Sequence, residues 1–130
     1  MLTFAQVGEI LDDIADSLPE EFYKELNGGI ILLPGAVVHR ESNPLEPLYV
    51  LGEYRREPFG LGRYIVIHYG SFVRAYGRYP LEAQAEELRR ILLHEFTHHI
   101  QSLGGTRNLE IDDDLRLDRY RQRQAGEKPE

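Results

Sequence analysis

The 130-residue chain contains no cysteine, which excludes a disulfide framework, a thiolate metal site and a cysteine nucleophile. Any metal it binds must take nitrogen and oxygen ligands. Basic residues are outnumbered, 15 against 22 acidic, and the net charge of -7 argues against nucleic acid or an anionic membrane as a partner held by bulk charge. No apolar run approaches the ~20 residues that span a bilayer. The opening MLTFAQVGEILDDIADS has no basic n-region and carries acids among its apolar positions, so it does not read as a secretory signal. A cytoplasmic location is therefore expected. Internal repeats, low-complexity tracts and interdomain linkers are also lacking, and residues 1–130 read as one domain. What remains is globular composition, 42% hydrophobic and 28% charged, in a chain long enough to bury about two thirds of its surface.

The order of elements is legible from periodicity and punctuation. Thr3 and Gln6 have capping-box spacing, and Phe4, Val7, Ile10, Leu11 and Ile14 follow as an apolar stripe, which predicts a helix over residues 4–16. Ser17 and Glu20 repeat that spacing before PEEFYKEL, a second short helix stopped by Asn27-Gly28-Gly29. GIILLPGAVVHR predicts a strand, a break at Pro34-Gly35 and a second short strand. LYVLGEYRR and GRYIVIHYG read as a hairpin or two neighbouring strands, and SFVRAYG as a short helix. A long helix starts near Pro80 and ends at Leu103 before Gly104-Gly105, and a last helix covers about residues 112–124, ahead of a frayed tail from about residue 125. Two helices, a small sheet and two more helices make an α+β or mixed α/β fold.

The long helix carries the chemistry. His94-Glu95-Phe96-Thr97-His98 is an H-E-x-x-H motif inside an otherwise apolar run. Residues four apart share a helical face, so His94 and His98 can offer two imidazole nitrogens to one cation. Glu95 lies about a hundred degrees around the helix from His94, beside a bound metal rather than on it, where a carboxylate can take a proton from water. The competing reading is a pair of core histidines satisfied by carbonyls or carboxylates. A catalytic zinc has three protein ligands, so a carboxylate or another histidine must complete the set. Metzincins place glycine at position 101 and histidine at 104. Here these are Gln101 and Gly104, and no methionine follows Met1 to form a Met-turn, which excludes that branch. Candidate carboxylates are Glu110 and Asp112 to Asp114 in LEIDDD, whose alternative role is capping or solvating the first turn of the last helix. His99 points back toward the Leu88 and Leu92 face and is expected to pack. His68 is expected to be a half-exposed strand residue and His39 a surface one.

The segments DSLPEEF, GSFVRAYG and HEFTHH together resemble the small bacterial zincin-like metallopeptidases, the minimal zincins or minigluzincins. The resemblance covers nearly the whole chain. It implies a minimal zincin-like fold in which a small mixed sheet packs on helices, with the H-E-x-x-H helix beneath. It also implies one Zn2+, a peptide or protein substrate, His94 and His98 as metal ligands and Glu95 as general base. Members continue after the second histidine with an early glycine and a turn bearing I-x-D. Here IQSLGGTRNLEIDD is longer, and matching IDD to that pattern places the third ligand on Asp113, with Glu110 and Asp112 as alternatives.

The expected function is zinc-dependent peptide hydrolysis by a metal-activated water, with Glu95 accepting and later returning the proton. Tyr120 and Arg119 are candidate oxyanion donors without an assigned position. A strand from Tyr64 to His68 could bind peptide by β-augmentation if it formed the sheet edge. The alternative is a binding module that keeps the zincin helix, with or without metal, and does not hydrolyse peptides.

Overall fold

A computed structural model describes residues 1–104. Its elements are α1 (Phe4–Asp16), a 3₁₀ turn (Glu20–Tyr23), β1 (Gly29–Leu33), β2 (Gly52–Glu57), β3 (Gly62–His68), α2 (Tyr69–Tyr76) and α3 (Leu81–Ser102). These described residues form a small α+β fold with a three-stranded mixed sheet and three helices. Glu110, Asp112, Asp113, Arg119, Tyr120 and the expected helix at 112–124 lie outside the described residues.

The first helix follows its expected bounds. Thr3 Oγ1 accepts from the Gln6 amide at 3.1 Å and the Gln6 side chain accepts from the Thr3 amide at 2.8 Å, closing the capping box. Val7, Leu11 and Ile14 turn inward. The second box expected at Ser17 and Glu20 does not form. Ser17 caps the C-terminal end of α1, its hydroxyl donating back to the Ile14 carbonyl at 2.6 Å, and only a four-residue 3₁₀ turn follows. A serine hydroxyl can serve either end of a helix, and here the backward bond wins.

β1 ends at Leu33, and the second short strand expected after Pro34-Gly35 is reduced to an isolated bridge between Val38 and Tyr49. β2 and β3 form the expected antiparallel hairpin. The strand order is β1-β3-β2, with β1 parallel to β3. β3 is therefore central, and the expectation that Tyr64–His68 could be an edge is overturned: hydrogen-bonded partners occupy both of its sides. Among the described residues the edges belong to β1 and β2. β3 is buried on both faces, and its Ile65 and Ile67 join the main core, as a near-continuous apolar run in a strand with a parallel neighbour should be.

α3 begins after Pro80, which is its N-cap, and ends at Leu103, with Gly104 at φ +95 beyond it. That left-handed conformation favours glycine and terminates the helix. Leu88, Leu92, Phe96 and Ile100 are fully buried against α1, the 3₁₀ turn and the sheet. None of the helices among the described residues is long and apolar enough to cross a membrane.

A candidate metal centre on the long helix

Between Ile91 and Ile100 every residue of α3 is buried except His94 and His98. A helix buried for almost its whole circumference thus opens at the two motif histidines. Their rings stand edge to face with centroids 4.7 Å apart, and their Nε2 atoms are 3.2 Å apart. Two nitrogens each about 2.0–2.1 Å from one tetrahedral ion lie roughly 3.3 Å from each other. The observed spacing fits that separation, and it also allows one neutral ring to donate to the other. Among the described residues no set of three or more histidine, cysteine, aspartate or glutamate side chains is placed to hold a metal. The pair is brought together here; Asp113 lies outside the described residues.

Glu95 is 5% exposed. Burial pushes its carboxyl up to about 7, and the negative charge of nearby Glu53 adds to the rise. Two carboxyl groups with different surroundings are therefore held apart in acidity. Glu53 is kept below the usual carboxylate range, first by hydrogen bonds from Arg55, with His68 acting in the same direction and burial opposing both. Arg55 reaches Glu53 at 3.1 and 3.3 Å, and His68 Nε2 donates to Glu53 Oε2 at 2.6 Å.

His68 is 3% exposed, which corrects the expectation of a half-exposed strand histidine. It closes the buried run of central β3, and Glu53 on neighbouring β2 compensates its polarity. No sequence motif joins Glu53 to His68, fifteen residues away, and only the β2–β3 pairing brings them together. A signal for His68 does exist, in the apolar IVI that precedes it. His39 is half-buried, its Nδ1 accepting from the Glu41 amide at 3.1 Å. His99 is fully buried, in line with a packing role. Its Nε2 bonds the Lys24 carbonyl and its Nδ1 meets the Tyr54 hydroxyl, each at 2.8 Å, and burial pulls its pKa down. An open cavity of about 600 Å3 bordered by Tyr49, Tyr69, Arg74 and Arg78 includes no motif residue in its lining.

Gly52 of β2 lets the strand come down onto α3. A Cβ there would lie 3.1 Å from Ile91 Cγ2 and 3.3 Å from Glu95 Cγ and Oε2. Gly52→Ala is expected to destabilise the protein by about 1–3 kcal/mol, the usual range for overpacking, measured by chemical denaturation. It should also displace the Glu95 carboxyl.

The Glu95 shift makes metal-free stability depend on pH. A carboxyl whose folded pKa is raised favours the folded state while protonated. That contribution is complete below the unfolded value near 4.5 and is lost as pH rises toward about 7. The loss is on the order of 3 kcal/mol, from roughly 2.5 pKa steps at about 1.36 kcal/mol each. Denaturation of metal-free protein at pH 4.5 and 7.5 should show it, and Glu95→Gln should reduce the difference by about that amount.

Neither family models nor curated proteins give a match to the chain. Among solved structures it is similar to a conserved hypothetical protein from Thermo thermophilus, at 30% sequence identity and a TM-score of 0.66, over 79% of this chain and 98% of that one. The chain belongs to the same family as that protein.

Proposed function

We propose that the protein is a zinc-dependent metallopeptidase of minimal zincin-like fold, with His94 and His98 as ligands of one Zn2+ and Asp113 as the third. The observation that carries this reading is the exposed His94–His98 pair, with Nε2 atoms 3.2 Å apart, opening from a buried helix beside the buried carboxyl of Glu95. Structural core histidines are satisfied by turning inward, as His99 and His68 do. This pair turns outward.

Zinc held there supplies a Lewis acid that polarises a carbonyl and lowers the pKa of water. The remaining work falls to the chain. A carboxyl poised near 7 is matched to exchanging protons at neutral pH. Glu95 takes a proton from the attacking water and returns it to the leaving amine. Its burial keeps bulk water from competing for that proton, and Gly52 leaves room for it beneath β2. Among the described residues β2, rather than β3, is the sheet edge packed over α3, which supports a reading in which a peptide substrate would pair along β2 through its main chain.

The test is peptide-library hydrolysis together with metal stoichiometry. Hydrolysis by wild type and not by Glu95→Gln supports the reading. Metal bound with no cleavage of any peptide sinks the peptidase and leaves a zincin-fold binding module.

A further inference from the structure

We propose that Tyr54 and His99 are positioning residues that set the rotation of α3 beneath β2 and thereby aim the His94–His98 pair. The proposal rests on the metal-centre reading above.

The protons in this part of the core run one way. The Lys24 carbonyl has no proton to give, so His99 Nε2 carries one and donates it across 2.8 Å. A neutral ring then keeps its lone pair on Nδ1, which receives the Tyr54 hydroxyl proton at 2.8 Å. Tyr54 has no second proton, so its oxygen accepts from Ser102 Oγ, also 2.8 Å away. The Ser102 proton is shared with the His99 carbonyl at 3.0 Å, and the Ser102 oxygen accepts from the Arg63 guanidinium. The chain passes from β3 through α3 and β2 to the connector before β1. Reversing the Tyr54 link would leave the Nδ1 lone pair of fully buried His99 without a donor, which costs more than the bond itself contributes.

The geometry ties this chain to the motif. Gly52 and Tyr54 lie two residues apart on one face of β2, about 6.6 Å along a strand. They grip Glu95 and His99, which lie four residues apart on α3, about 6 Å along a helix. Strand and helix are thus matched at two successive contacts. Each gripped residue immediately follows a candidate ligand: Glu95 follows His94, and His99 follows His98. Turning α3 to break the Tyr54–His99 bond would swing both imidazoles together.

Zinc affinity in the full-length protein, measured by competition with a chromogenic chelator, tests this for wild type, Tyr54→Phe and Val7→Ala. Val7 is a fully buried residue of α1 remote from the motif in sequence, so its truncation reports general loss of stability. Tyr54→Phe is expected to weaken zinc binding about tenfold, at the low end for residues that orient metal ligands, and Val7→Ala to change it by less than about twofold, with both variants folded at the assay temperature. Wild-type affinity in Tyr54→Phe, or equal weakening in Val7→Ala, overturns the positioning role. If wild type binds no zinc, the metal reading fails separately and histidine NMR of the metal-free protein decides the lock. The expected result is an Nε2–H tautomer for His99, with His94 and His98 ring resonances moved by Tyr54→Phe and not by Val7→Ala. An Nδ1–H tautomer, or unmoved rings, overturns it.

Discussion

Glu95→Gln is expected to lower peptide hydrolysis by about 10²–10⁴-fold, the usual contribution of a positioned acid or base, while zinc stoichiometry stays at one per chain. Glutamine keeps the volume of glutamate and fills the same space beneath Gly52, but it has no carboxylate to accept a proton. It also removes the repulsion from Glu53 that helps raise the Glu95 pKa. The variant should therefore be at least as stable as wild type at neutral pH, which separates lost chemistry from lost fold. Single-turnover cleavage of a peptide library, run beside metal analysis of the same preparations, checks both halves. Equal cleavage by the two proteins would remove Glu95 from the reaction.

Phe96→Ala is expected to destabilise the protein by about 3–5 kcal/mol, the range for emptying a buried aromatic site. Phe96 occupies the first of the two unspecified positions in the motif and is fully buried. Its ring lies 5.6 Å from that of Phe22 and 5.2 Å from that of Tyr23, centroid to centroid, so it fixes the middle of α3 on the 3₁₀ turn. Against a total stability of about 5–15 kcal/mol for a typical domain, such a loss is large. Guanidinium unfolding should show a lower midpoint, whereas Leu81→Ala at the exposed start of the same helix should stay within about 0.5 kcal/mol of wild type. A loss below about 1 kcal/mol for Phe96→Ala would mean that α3 is not anchored where the structure places it.

The parts of the molecule that are legible in the sequence are those governed by short-range physics. The Thr3–Gln6 capping box and the stripe from Phe4 to Ile14 are settled within a few residues, and α1 has its expected bounds. The same holds for α3, with a proline at its start and a glycine in left-handed conformation past its end. His94, Glu95 and His98 are recognisable because helical spacing alone puts the imidazoles together.

The illegible parts depend on which elements meet. Strand order decides that β3 is central and β2 an outer strand, and alternation of side chains carries little information about pairing order. That order buries His68 and supplies Glu53 as its partner. Tyr54 is equally silent: a tyrosine in a strand signals β propensity, and only the packing of β2 on α3 gives its hydroxyl to His99. Ser17 shows a subtler failure. Its spacing to Glu20 suits a cap, yet the chain spends that hydroxyl on the end of α1.

The most direct measurement of the metal centre is zinc content by elemental analysis after dialysis against a trace of zinc, for wild type, His94→Ala and His98→Ala. One zinc per wild-type chain, lost in both variants while their circular dichroism is unchanged, is the expected result. No zinc in wild type, or full zinc retained in either variant, would contradict the assignment of His94 and His98 as a metal-binding pair.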